Sequence, residues 1–388
     1  MRKSIFFLCA FFYCAIVSCE KPPKPIPKWA DPDVSGGNIS AYSDMVLIYG
    51  GGHHRQPYAW TPEILKDYIV YLDRQGKRHW LFDSFLLIEF MDPLVNGGAG
   101  KTFITGAKYN GNYMPSANKT DWENLINYYF SSSSSGAGAI DMAIEDAKSV
   151  LGEPKRKRQI VVGVPEPITY LYSATATGGS SYWGELEGKN LDFKESADRI
   201  LACKWYIDAV IKKFKDMNYK NIHLAGFYWV AEKSTHTNVI LKPVADYIKS
   251  KKYGFEWIPY YNAEGYSFWK DYGFNYAYLQ PNYFFRDDVP VSRLNEACAQ
   301  AKSYGMGLEL EFDNNALKSY GKAYKLRDYM RVFKELGVWE KSRLAYYQGS
   351  WSLRALKYSS QPEDVGLYHE FCDFVISRPI RNAVEGGN

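Results

Sequence analysis

Eight short apolar segments, spaced by longer stretches, constrain this chain more than any other feature. They cover residues 45–49, 80–85, 159–164, 222–229, 255–261, 276–281, 307–312 and 344–348. Each is rich in aromatic or β-branched residues, which suit a pleated, buried strand. The stretches between them carry helical signals. Thr61-Pro62-Glu63 opens a helix over residues 64–73, with a capping hydroxyl and a proline at the first position. Residues 196–217 space Ile200, Trp205, Ile207, Val210, Ile211 and Phe214 to face a sheet. Further helices are expected over residues 123–130, 140–151, 238–251, 291–304, 324–336 and 362–377. Alternating strands and helices call for a parallel sheet with a helical cover. Eight strands, with a helix after each, fit a single closed (β/α)8 TIM barrel of the α/β class.

An open doubly wound sheet has fewer strands and wants a Gly-rich phosphate loop after the first. Gly50-Gly51-Gly52 follows strand one but lacks the dinucleotide spacing, so no cofactor is assigned. His53-His54 comes next, without the His-x-His of a metal hydrolase barrel. No metal site is assigned either.

The 388 residues suffice for one barrel with insertions, since such a fold takes ~250 residues. The insertions are legible. Residues 91–120 follow strand two, and residues 165–194 follow strand three with Tyr170, Tyr172, Tyr182 and Trp183. Both fall on the C-terminal face, where barrel sites are built, and are expected to wall a cleft. Aromatic residues make up 17% of the chain, more than a core requires. Flat rings with polar tips suit sugars, although a Tyr-rich core would give the same count. Net charge is only +4, with no basic stripe for nucleic acid. The run Lys155-Arg156-Lys157-Arg158 reads as a solvated turn before strand three.

The first 18 residues read as a signal peptide. Arg2 and Lys3 precede an apolar run from Ile5 to Val17, too short to span a membrane as a mature helix. Ile16-Val17-Ser18-Cys19 resembles the lipobox of bacterial lipoproteins, which implies lipidation at Cys19. Residues 19–40 are Pro-rich and read as a tether; residues 41–388 form the barrel domain. A lipid-anchored monomer on the bacterial cell envelope, at the outer membrane, is expected. Cys203, Cys298 and Cys372 sit in apolar helical stretches and read as buried free thiols.

Strand seven carries the strongest chemical signal. Side chains alternate along a strand, so Glu309, Glu311 and Asp313 share one face while Leu308, Leu310 and Phe312 share the other. Buried carboxylates persist when they bind a cation, pair with a base or do acid–base work. Strand four ends at Glu232, across the barrel from strand seven. Two opposed carboxyl groups are the equipment of glycoside hydrolysis. The expected roles are Glu232 as general acid/base and Glu311 as nucleophile, with Glu166, Glu309 and Asp313 in reserve. Tyr49, Trp229, Tyr261, Trp269, Tyr283 and Trp351 are placed to stack on sugar rings. Asp83, Asn262, Gln280 and Asn282 are placed to bond hydroxyls. The arrangement resembles the large retaining clan of barrel glycosidases, where strands four and seven supply these acids. That clan carries Asn before the strand-four acid; here Ala231 stands there.

A wider resemblance covers nearly all of the mature chain. Gly226-Phe227-Tyr228-Trp229 with Glu232, Trp257-Ile258-Pro259-Tyr260-Tyr261, Leu279-Gln280-Pro281-Asn282-Tyr283 and Gly307-Leu308-Glu309-Leu310-Glu311-Phe312-Asp313 carry it. These strings resemble an uncharacterised bacterial lipoprotein domain family placed among glycosidase-like TIM barrels. The resemblance implies the barrel fold, export and a carbohydrate context. The expected function is hydrolysis of an oligo- or polysaccharide with retention. The alternative is a non-catalytic glycan-binding surface lipoprotein on the same barrel.

Overall fold

Eight strands pair side by side, all parallel, in a ring. They are β1 (Asp44–Tyr49), β2 (Ser84–Ile88), β3 (Arg158–Val164), β4 (Ile222–Trp229), β5 (Gly254–Trp257), β6 (Tyr276–Leu279), β7 (Gly307–Glu311) and β8 (Leu344–Tyr347). Strand β1 pairs with both β2 and β8 and closes the barrel. The structure is a computed structural model that describes residues 42–49, 60–92, 100–130, 136–169, 180–349 and 351–386. The signal peptide, Cys19, the tether, Gly50-Gly51-Gly52, His53-His54, Tyr170 and Tyr172 lie outside the described residues.

Helices α1 (Pro62–Ile69), α2 (Lys119–Tyr129), α3 (Gly136–Leu151), α4 (Ser196–Met217), α5 (Asn238–Ser250), α6 (Ser292–Tyr304), α7 (Ala323–Glu335), α8 (Pro362–Ile376) and α9 (Pro379–Gly386) follow the strands. The strands' outward residues and the helices' apolar faces make one core, including Val46, Phe85, Val162, Leu308 and Leu310. Inward residues make a second, with Met45, Leu47, Leu86, Val161, Tyr278 and Ala345. Cys203, Cys298 and Cys372 are buried free thiols in the outer layer.

Three local departures from strict alternation matter. First, α1 ends at Ile69, and the chain folds into an antiparallel hairpin of Val70–Leu72 with Arg78–Trp80. The Asp73 carboxylate drives the turn by accepting from the amides of Gln75 and Lys77 at 2.9 and 2.8 Å. Strand two therefore starts at Ser84, not at residue 80. Second, β5 and β6 are joined without an α-helix; a 3-10 turn, Tyr266–Phe268, takes its place. Phe274 covers the outer face there, stacked on Phe255 and Trp257 with ring centroids 4.4 and 5.2 Å apart.

Third, β4 carries a bulge between Leu224 and Gly226. Ile222 and Leu224 point outward. Strict alternation would send residues 228 and 232 outward too. The extra residue resets the phase, so Ala225, Tyr228 and Val230 face inward while Phe227, Trp229 and Ala231 face the helices. Only glycine fits at 226, because a Cβ there would lie 2.3 Å from the Gly254 carbonyl oxygen. The bulge is what turns the end of β4 toward the barrel mouth.

Polar clusters seal the bottom of the barrel. Arg343 is sandwiched between the rings of Tyr42 and Tyr276, 4.7 and 4.8 Å from their centroids. It lies 3.8 Å from Glu256, whose carboxylate also accepts from Tyr42. Asp44, at the start of β1, is gripped by Arg378 and Arg381 and accepts from Tyr346 at 2.6 Å. Burial alone would raise the Asp44 pKa, but the two guanidinium groups, with the hydrogen bonds from Ser43 and Tyr346, outweigh it and hold it below the ordinary range. Asp44→Asn leaves two buried cations short of a partner. It is expected to cost about 3–5 kcal/mol near neutral pH, measured by urea unfolding. A depressed folded pKa stabilises above the unfolded value, so this deficit should shrink as pH falls through the acidic range.

Candidate functional site

A cavity of about 290 Å³ opens among the C-terminal strand ends. Its lining is Leu47, Tyr49, Phe90, Tyr228, Glu232, Gln280, Asn282, Phe285, Glu309, Glu311 and Tyr347. The volume sits at the small end of ligand pockets, which run ~300–1,000 Å³. The wall divides in two. Strands β1, β2 and β8 contribute aromatic rings: Tyr49 meets Phe90 and Tyr347 edge to face, at 5.6 and 5.8 Å. Phe285, beyond β6, continues this row against Tyr347 at 5.6 Å and is 39% exposed at the rim. Strands β4, β6 and β7 contribute the acids and amides.

The acids come from the alternation and the bulge together. On β7, Glu309 and Glu311 point inward, each 2% exposed, and pair in register with Ala345 and Tyr347 of β8. Glu232 lies two residues beyond inward-facing Val230 and reaches the same cavity. Two amides link the acids. Gln280 Nε2 donates to Glu232 Oε1 at 3.0 Å. Asn282 Nδ2 lies 3.3 Å from both Gln280 Oε1 and Glu311 Oε1. Asn282 sits in the left-handed region with φ +50°, which aims its backbone N–H at Glu311 Oε2, 2.7 Å away. Tyr329, from α7, donates to the same oxygen at 2.6 Å.

The three carboxyl groups sit in different electrostatic settings. Burial raises the Glu311 pKa most; the bonds from Tyr329 and Asn282 pull it down, Glu232 pushes it up, and the balance is about 7. Glu309 is pushed well above the usual carboxylate range by burial, then by Glu311 and Glu232. Its Oε1 has no hydrogen-bond partner.

Other expected site residues lie elsewhere. Asp83 precedes β2, at the bottom of the barrel, where it accepts from the amides of Ser43 and Asp44 at 2.8 Å. Trp229 is buried on the helix side against Phe255. Trp269 is buried too and donates to the Tyr304 carbonyl at 3.0 Å. Tyr283 packs on Tyr329 and donates to Asp328. Tyr261 lies under Arg293 and donates to Glu296. Asn262, in a left-handed turn, accepts from Gln300. Trp351 packs on the helix-side core. Asp313 caps the turn after β7 by accepting from Asn315. Glu166 accepts from the Thr105 amide at 2.6 Å and ties the connection after β2 to the end of β3. Trp183 packs on Trp122 and Trp205 between helices and does not wall the cavity.

Thus Tyr49, Glu232, Gln280, Asn282, Glu309 and Glu311 come together. Phe90, Tyr228, Phe285, Tyr347 and the supporting Tyr329 were not anticipated. Tyr347 is signalled by its register opposite Glu311; Tyr228 becomes visible only once the bulge is known. Among the described residues, no group of three or more His, Cys, Asp or Glu is arranged to hold a metal ion.

The fold and mouth define a (β/α)8 barrel with a carboxylate-lined cavity at its C-terminal strand ends. The chain belongs to the family described as Domain of unknown function (DUF4855), which matches residues 44–373. No curated relative matches it. Solved structures of similar chain path include a Bacteroides thetaiotaomicron protein provisionally assigned as an alpha-L-fucosidase, 12% identical with a TM-score of 0.44 over 94% of this chain and 99% of that one. A Pseudoalteromonas aurantia chitinase is 8% identical, with a TM-score of 0.38 over 80% and 95%. A tryptophan synthase A-subunit from Pyrococcus furiosus is 9% identical, with a TM-score of 0.36 over 86% and 97%. These likenesses are of chain path alone.

A carboxyl pKa raised by folding means that the folded state holds protons the unfolded chain has released. Such a group weakens folding as pH climbs above the unfolded glutamate value of ~4.3. Glu309→Gln removes that penalty. The variant is expected to gain on the order of 1–3 kcal/mol at alkaline pH and nothing near pH ~4.3, read by denaturant unfolding across pH.

Proposed function

We propose that this protein is a glycoside hydrolase acting on an oligo- or polysaccharide by a two-carboxylate, retaining mechanism. The observation that carries the reading is the meeting of Glu232, from the end of β4, and Glu311, from β7, in one cavity with an aromatic wall. A pyranose has an apolar face for Tyr49 and Tyr347 and hydroxyls for Gln280 and Asn282. Glu311 is the nucleophile, because Tyr329 and Asn282 fix its carboxylate with hydrogen bonds. Glu232 is less buried and bound by a side-chain amide. It donates its proton to the leaving oxygen as Glu311 bonds the anomeric carbon. It then takes a proton from the water that releases the sugar.

The test is purified protein against a panel of polysaccharides and aryl glycosides, read by released reducing ends and by the anomer first formed. Hydrolysis with retained configuration is expected. Glu232→Gln and Glu311→Gln should each lower kcat by about 10²–10⁴-fold while remaining folded. Activity should fall as pH drops below about 7, where Glu311 takes up its proton. Full activity in either variant overturns the assignment. Binding without cleavage would instead support the glycan-binding alternative.

Lipid anchoring at Cys19 to the bacterial outer membrane, as a monomer, belongs to the same proposal and rests on the lipobox-like Ile16-Val17-Ser18-Cys19. Cys19→Ala should abolish labelling by a fatty-acid probe and move the protein to the soluble fraction.

A further inference from the structure

The loop after β6 meets the site on one side and α7 on the other. Toward the cavity it presents Asn282, whose backbone and side-chain N–H groups reach Glu311, and Phe285, whose ring meets Tyr347. Asn282 Oδ1 accepts from the Tyr261 amide at 3.2 Å, which ties the start of the loop to the end of β5. Residues 281–286 are neither strand nor helix, so no ladder pairs their carbonyls. Two lysines at the start of α7 take these up. Lys325, 1% exposed, donates from Nζ to the carbonyls of Tyr283, at 2.8 Å, and Arg286. Its ammonium also lies 4.4 Å from the centroid of the Tyr283 ring. Lys322 Nζ donates to the Phe285 carbonyl at 3.2 Å. The charged groups around Lys325 are Lys322 and Asp328 on its own helix and Asp287 and Asp288 from the loop. Asp328 and Tyr329, three and four residues on, share the Lys325 face of α7. The first accepts from Tyr283 and the second donates to Glu311.

We propose that Lys325 is a positioning residue of this site: its buried ammonium group pins the loop after β6 and, through that loop, holds Asn282 against Glu311. The inference rests on the hydrolase reading for its catalytic consequence and deepens it. An ammonium carries three N–H donors on a point charge. Here two carbonyls and an aromatic face receive them. An apolar side chain would fill the same space between helix and loop but would leave the direction of both carbonyls unset. Asn282 holds a left-handed backbone, a conformation that non-glycine residues adopt sparingly and that the pinned chain just beyond it maintains. With the pin removed, the chain relaxes and the Asn282 amide leaves Glu311 Oε2. Glu311 then faces Glu309, Glu232 and Tyr329 with one donor fewer. A carboxylate that loses a donor keeps its proton to higher pH.

The test follows the Glu311 carboxyl by carbon-13 NMR of glutamate-labelled protein, with Glu311→Gln assigning the signal. In the wild-type chain it is expected to titrate at about 7. In Lys325→Met it should titrate about one pH unit higher, with urea unfolding showing that the variant is folded. Lys325→Ala, folded in n-propylammonium, repeats the comparison with and without the amine and covers a Met variant that does not fold. The amine replaces the deleted carbons and nitrogen and should restore the wild-type titration. The uncharged n-propanol, of the same length, should not. On an aryl glycoside, Lys325→Met should lower kcat by about 10–100-fold near neutral pH and move the acid limb of the pH profile upward. An unchanged Glu311 titration in a folded variant overturns the proposal, as does restoration by propanol as well as by the amine. Failure of the hydrolase reading is a separate result: a shifted titration with no cleavage of any glycoside retires catalysis and keeps the role of Lys325. Cleavage with an unshifted titration does the reverse.

Discussion

A closed ring of parallel strands allows each side chain only two directions, inward or outward. Everything specific about this barrel follows from which residues take the inward one. Closure itself depends on β1, which pairs with β2 and β8 and is pinned at its start by the Asp44 cluster. Arg378 bonds Asp44 and the Ser43 carbonyl, while Arg381 bonds Asp44 and the Leu81 carbonyl. One buried carboxylate thus ties the first strand, the approach to the second and the C-terminal segment together. Ion pairs so deeply buried contribute registry more dependably than net stability.

Charge is distributed along the barrel axis in two contrasting ways. The bottom is neutralised, with guanidinium groups set between rings and carboxylates. The mouth gathers three acids in one cavity; Glu309 is pushed toward its neutral form by burial and by Glu311 and Glu232, and Glu311 by burial and by Glu232. Buried like charges are costly, and sites that keep them tend to be functional ones. The amides of Gln280 and Asn282 soften the conflict by bridging Glu232 to Glu311. The aromatic rows on β1, β2 and β8 lower the local polarity on the other side and sharpen the field of the acids.

Much of the fold was legible because its signals are local. The barrel class followed from eight apolar segments and their spacing, and seven of the eight strands start within two residues of expectation. Strand two did not, because an Asp73-centred hairpin intervenes and consumes the residues expected to begin it. The β7 acids were read correctly, since that strand alternates without interruption. On β4 the phase is reset by the bulge at Gly226, a close approach to Gly254 that belongs to another strand. Glu232 was placed by its position at the strand end, but its neighbour Trp229 was assigned to the wrong face. Asn262, Tyr283 and Trp351 stand just past strand ends, where the period-two rule no longer applies and loop geometry decides direction.

The sequence by itself determined the parallel α/β barrel and the pair of inward acids on β7. These depend on patterns that repeat every two residues or every few turns, which neighbouring residues along the chain can express. Tertiary structure decided the phase of β4, the aromatic wall of Tyr49, Phe90, Phe285 and Tyr347, and the support of Glu311 by Tyr329. It also decided that Asp44 and Glu256 at the bottom face guanidinium groups. Those features are contacts between strands distant in sequence, set by barrel closure and by one steric approach at glycine, and no local pattern encodes them.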